Sequence, residues 1–298
     1  HLRVFGDAVA MDEVAVLLST LPGADHIIRS DAGDAQRRVL VTADLDPDAA
    51  DAALSGVHRL GVPPADVWLL RVDGLQPGRR PHRGGAVVWA DLLGQAGENA
   101  RPVGRFLVFM CVAGIIAGYG VIYANGILIV GAMAVSPDFL PIAATCIGLV
   151  ARRPRLVGRA FATLIAGLGV AGLVAGLLTA LLDVEGLLPG SFSVGESGLS
   201  GLTSVNSSTI VVAFVAGIAG MLALQTRASA AVGVAISVTT IPASAYLGVA
   251  AGVGEVDKAA GALAVLSINV AMLFAGGTLA LLAQQALTRR AEARGAFD

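Results

Sequence analysis

Residues 126–150 read GILIVGAMAVSPDFLPIAATCIGLV. A hydrocarbon layer takes about 20 mostly apolar residues to cross as a helix, and this run is long enough. Its middle nevertheless carries Pro137, Asp138 and Pro141. Proline lacks an N–H and collides with the turn before it, so by the helical ladder Pro137 frees the carbonyl of Met133 and Pro141 that of Pro137. An unpaired carbonyl is costly in hydrocarbon, so these groups must face protein, water or a bound solute. Asp138 lies ~18 Å into the run at a rise of 1.5 Å per residue, close to the midplane. A carboxylate there costs at least ~2.5 kcal/mol.

Outward from this stretch, residues 103–288 divide into six apolar runs: 103–124, 126–150, 158–182, 209–225, 229–253 and 259–285. Asp138 is the one acidic or basic side chain well inside any of them, with no Arg, Lys or His at similar depth. It must be protonated, bind a cation, face a wet cavity or lean on hydroxyls, of which Ser136, Ser237, Thr239 and Thr240 are available. Asn269, inside the sixth run, either coordinates solute or joins helices. Thr203–Thr209 either lines a vestibule before the fourth run or caps its helix.

The two halves of this region resemble each other. Met133–Pro141 (MAVSPDFLP) aligns with Val234–Pro242 (VAISVTTIP), matching Ser136 to Ser237 and Pro141 to Pro242, with Asp138 opposite Thr239. Ala113–Gly118 (AGIIAG) echoes Ala216–Gly220 (AGIAG). Three runs per half is an odd number, so the halves are expected to be inverted repeats with helices broken at Pro137, Pro141 and Pro242, a plan found in many secondary transporters. Pro242 frees the carbonyl of Val238 by the same ladder argument.

Charge sets the expected orientation. Arg79, Arg80, Arg83, Arg101 and Arg105 precede the first run, and Arg152, Arg153, Arg155 and Arg159 follow the second. Arg227 follows the fourth, and Arg289, Arg290 and Arg294 the sixth. The opposite side holds Lys258 with Asp183, Glu185, Glu196, Glu255 and Asp257. Both termini are therefore expected in the cytosol, with a cytosolic tail at 289–298.

Composition agrees. The 298 residues are 55% hydrophobic and 14% charged, where globular chains hold about a quarter charged residues. Residues 1–78 carry a net charge of −6 and the remainder +4. A soluble single-domain enzyme, a disordered acidic tail and a nucleic-acid binder with a basic face are excluded as descriptions of the chain. Cys111 and Cys146 are too few for a disulfide framework or a zinc site. Asp7, Asp12 and Glu13 occupy the place of a signal peptide's apolar core, and because the chain opens on His1 the true start is expected upstream.

Residues 1–76 read as a small α+β domain. Strands are predicted at 2–6, 25–30, 37–43 and 67–72, with helices over 10–21 and from Asp46-Pro47 to about Leu60. The order β-α-β-β-α-β is the ferredoxin-like arrangement. His26 and His58 fall here without ligand spacing for a metal. Residues 77–102 form a linker, in which Val88, Trp89, Leu92 and Leu93 suit an amphipathic helix lying at the membrane surface.

The block Tyr119–Ile142, with Asn125, Gly131-Ala-Met and Ser-Pro…Pro-Ile, resembles a bacterial membrane family catalogued as domain of unknown function 389. Gly233-Val-Ala-Ile followed by Pro242 resembles its second block, and Asn269 the Asn of its last span. The resemblance covers about 87–285 and implies a six-span integral membrane protein, often with an N-terminal soluble domain, and no established substrate.

These readings together predict a homo-oligomeric (dimeric or trimeric) transporter or channel of the bacterial inner membrane. It would pass a small solute or cation, with proton or cation coupling at Asp138, Ser136, Thr239, Thr240, Ser237 and Asn269. No cofactor, resident metal or nucleic-acid partner is expected. The alternative is a membrane-anchored sensor or scaffold whose cytosolic domain binds an effector. Enzymatic activity is not expected, because Asp138 has no second intramembrane carboxyl, His or nucleophile–base pair beside it.

Overall fold

Ser136 precedes a proline, and that position disfavours α-helical backbone. In the computed structural model Ser136 is extended (φ −70°, ψ 128°), and the run 126–150 is not one helix. It forms Gly126–Val135 and Phe139–Val150, bent by 55° at the break. The structure describes residues 1–32, 38–70, 92–94, 96–97, 100, 104–190, 192, 206–224 and 229–295. The expected surface helix around Trp89 lies largely outside them, as do Arg79, Arg80, Arg83, Arg101 and Arg227. The chain divides into two compact units, His1–Leu92 and Leu93–Asp298.

The first unit contains β1 (Leu2–Gly6), α1 (Ala8–Ser19), β2 (Ala24–Asp31), β3 (Val39–Leu45), α2 (Pro47–Arg59) and β4 (Val67–Leu69). Its sheet is antiparallel with strand order β2-β3-β1-β4, so each helix crosses over one intervening strand. Met11, Val14 and Leu18 fall on one face of α1 and are buried with Leu2, Val4, Val41, Ala53 and Val57. Asp7 caps α1 by accepting from the Ala10 N–H at 2.9 Å. Pro47 opens α2 at a position where a missing N–H costs nothing. His26 Nδ1 lies 3.1 Å from Asp44, and His58 Nδ1 lies 2.8 Å from the Leu54 carbonyl.

The second unit is helical among its described residues: α3 (Gly104–Ile122), α4 (Gly126–Val135), α5 (Phe139–Val150), α6 (Pro154–Val184), α7 (Ser207–Ala223), α8 (Ser229–Gly252) and α9 (Val256–Gly295). Among the described residues α3, α6 and Val256–Leu287 of α9 are each long and apolar enough to cross a membrane, and the bent pair α4–α5 makes a fourth if counted as one span. The apolar helix α7 has 17 residues, or ~26 Å at 1.5 Å per residue. Asn206 caps it, accepting from the Thr209 N–H at 2.8 Å.

Short connections close with backbone bonds of the Schellman type. Asn125 donates to Gly120 O, Arg153 to Gly148 O, Leu187 to Leu182 O and Glu255 to Ala250 O, at 2.8–2.9 Å. The left-handed residue each requires is Ala124, Arg152, Gly186 and Gly254 respectively.

Small residues set the helix registers. A methyl group at Gly114 would stand 2.5 Å from the Ala171 carbonyl oxygen, and one at Gly118 would stand 3.3 Å from Ala175. These contacts advance together, so α3 and α6 run parallel. On α6 and α8 a methyl at Gly172 would meet the Ser244 carbonyl at 3.0 Å, and one at Gly176 the Gly248 carbonyl at 2.8 Å. Those two helices are parallel as well. In the second half Gly217 meets the backbone of Leu273 and Gly277. It is the residue aligned with Gly114, and α7 thereby packs on α9 as α3 packs on α6. Given these directions, Arg105, Arg152, Arg153 and Arg155 gather at one end of the unit. Asp183, Glu185, Glu255, Asp257 and Lys258 gather at the other.

Helix α8 touches α3, α4, α5, α6, α7 and α9. From Thr239 to Ala250 all its side chains are buried except Leu247, which is half-buried. It does not break at Pro242, which lies inside one continuous helix.

The α6–α8 contact gives a paired prediction. Gly248→Ala places a methyl group against the Gly172 carbonyl and should cost about 1–3 kcal/mol. Gly131→Ala meets nothing within 4 Å and should be neutral or stabilising by up to ~1 kcal/mol. Thermal unfolding of the two purified variants in detergent checks the contrast.

Candidate functional site

Asp138 is the first residue after the Ser136-Pro137 break and the N-cap of α5. Its carboxyl is fully buried, and it is the one buried Asp, Glu, Lys, Arg or His among the described residues. The hydroxyl of Ser237 donates to its Oδ1 and that of Thr240 to its Oδ2. Ser237 and Thr240 are three residues apart on α8, the spacing that puts two side chains on one helix face. One face of α8 thus supplies a donor to each oxygen of a carboxyl carried by the break between α4 and α5. Hydrogen bonds to a carboxylate are stronger than neutral ones, and this pair satisfies an acceptor that would otherwise be costly to bury.

The other expected site residues lie around this contact. Ser136 is buried and its hydroxyl donates to Met110 Sδ of α3 at 3.4 Å. Thr239 is buried, and its carbonyl accepts from Asn269 Nδ2 of α9 at 2.7 Å. Beside Ser237, the hydroxyl of α8 that donates to Asp138 is that of Thr240, one position along from the residue that aligns with Asp138. Asn269 is itself buried, and its Oδ1 has no hydrogen-bond partner among the described residues.

The prolines differ in effect. Pro137 marks the break. Pro141 falls in the first turn of α5, where no ladder N–H is needed. The carbonyl of Pro137, expected to be free, accepts from the Leu140 N–H at 3.2 Å. The carbonyl of Pro141 accepts from the Thr145 hydroxyl at 2.8 Å.

Two buried residues of α8 escaped the sequence reading. The Ser244 hydroxyl donates to the Leu168 carbonyl of α6 at 2.7 Å, at the α6–α8 crossing. Tyr246 is fully buried, and its hydroxyl has no partner among the described residues. Tyr246 is seven residues from Thr239, hence on nearly the same face ~10 Å further along. A polar residue inside the fifth apolar run was the available signal for both. A groove of about 730 Å³ between α6, α8 and α9 is lined by residues such as Leu168, Gly172, Gly248, Leu266 and Phe274, and Asp138 does not line it.

Residues 133–275 match the model of a family described as a domain of unknown function (DUF389). The match starts inside α4 and ends inside α9, so it contains the break, Asp138, Ser237, Thr240 and Asn269. It is narrower than the resemblance over 87–285 and leaves out α3 and the first unit. No curated protein and no solved structure matches the chain.

A double-mutant cycle tests the central contact. Thr240→Val should cost about 1–3 kcal/mol, because it removes a donor from a buried carboxyl. In an Asp138→Asn background the same change should cost less, with a coupling energy of at least ~0.5 kcal/mol. Unfolding of the two single variants and the double variant measures it.

Proposed function

We propose that this chain, which carries the domain of unknown function 389 over residues 133–275, is a six-span bacterial inner-membrane protein. It passes a small solute or cation, coupled to ion or proton occupancy at Asp138. One observation carries the reading: a fully buried carboxyl at a helix break is held by two hydroxyls of a central helix. Acidic side chains at membrane depth usually mark ion and proton pathways.

The spans in this reading are α3, the bent pair α4–α5, α6, α7, α8 and α9. The parallel courses of α3, α6 and α8 support two inverted three-span halves, since the first and third spans of one half then run with the middle span of the other. The equivalent contacts of Gly114 and Gly217 support the same repeat. The basic end of the unit faces the cytosol by the positive-inside rule. Small residues along the helices favour association of copies, as a dimer or trimer in lipid. Catalysis forms no part of the proposal.

The separate compactness of His1–Leu92 favours a second reading, in which this unit senses an effector and the helices only anchor it. Effector binding without flux would select that reading.

Liposomes with imposed ion and proton gradients test the first reading through internal pH. Wild type should show flux, and Asp138→Asn should lose at least ~90% of it with an unchanged elution profile, as expected when a pathway carboxyl loses its charge. Equal flux in both contradicts the role of Asp138. Orientation has its own test. Arg155→Cys should react with an impermeant maleimide from the cytosolic side only, and Glu255→Cys from the opposite side only.

A further inference from the structure

The surroundings of Asp138 contain a second polar group with an unmet need. Asn269 commits its amide N–H to the Thr239 carbonyl, while its Oδ1, buried with the rest of the side chain, has no partner among the described residues. The amide is planar, so Oδ1 stays beside Thr239, and the next residue, Thr240, donates to Asp138. Pro242 has no N–H to give the Val238 carbonyl, which leaves another oxygen of the same turn of α8 without its ladder donor. This part of the unit is thus rich in acceptor oxygens and holds one fully buried carboxyl that accepts from the Ser237 and Thr240 hydroxyls.

We infer that Asp138 and Asn269 together bind one monovalent alkali cation. The inference rests on the proposed role of Asp138 as an ion site and names the ion. An all-oxygen shell selects a hard cation over a transition metal. A single carboxylate balances a single positive charge, whereas a calcium-type site gathers more oxygens and more charge. A proton on Asp138 would neutralise the carboxyl and leave Asn269 Oδ1 unanswered. A cation between the two answers both.

Sodium is the probe. The full chain, purified in detergent at neutral pH, is tested for retention of sodium-22 by scintillation proximity, with unlabelled sodium and choline as competitors. Wild type should retain the label saturably and release it to sodium and not to choline. Asp138→Asn should fall to background. Asn269→Ala should raise the sodium concentration for half-displacement by about tenfold, the loss expected for one oxygen ligand. If Asp138→Asn does not fold, Asn269→Ala decides the matter alone. Absence of saturable retention by folded wild type overturns the inference, as does unchanged affinity in Asn269→Ala. Sodium retention without liposome flux would remove the transport reading and leave this site standing. Proton-driven flux without sodium retention would do the reverse.

Discussion

A carboxyl group enclosed among apolar helices must be given hydrogen-bond donors or a compensating charge. Much of the second unit follows from how Asp138 meets that requirement. The Ser136-Pro137 step ends α4 early and turns the chain by 55°, which brings Asp138 to the start of α5. Two hydroxyls three residues apart on α8 can then reach both carboxyl oxygens. That demands close approach of α8. The approach is made possible where α8 crosses α6, since Gly172, Gly176 and Gly248 let backbone lie against backbone. Packing and polar satisfaction are one constraint here.

Much of this was legible in the sequence because it depends on local rules. The β-α-β-β-α-β order followed from hydrophobic periodicity and from the turn residues Pro22-Gly23 and Asp46-Pro47. The break at Pro137 followed from proline's missing N–H and its clash with the turn before it. What depended on rotation between helices was not legible. Alignment set Asp138 against Thr239, but a helix turns 100° per residue, and the face α8 presents is that of Ser237 and Thr240. Pro141 and Pro242 looked alike in the alignment. One sits harmlessly in a first turn and the other inside a continuous helix, because the effect of a missing N–H depends on where each helix starts. Ser244 and Tyr246 were passed over because an isolated polar residue in an apolar run has no local pattern to distinguish it.

The family match covers the break, Asp138, Ser237, Thr240 and Asn269, so the features argued from physics fall in the part of the chain that is similar to other proteins. The first unit lies outside the match, and its fold alone says nothing of what it binds. The helical unit therefore carries the functional argument, and within it a single contact between Asp138 and α8.

That contact has a direct spectroscopic reading. The infrared difference between wild type and Asp138→Asn isolates the carboxyl band of Asp138. Recording the same difference in a Thr240→Val background removes one donor from that carboxyl. A shift of the band between the two backgrounds is the predicted result, since the frequency of a carboxyl responds to the hydrogen bonds it accepts. An identical band in both would mean that α8 does not hold Asp138, and the account of the site would fail.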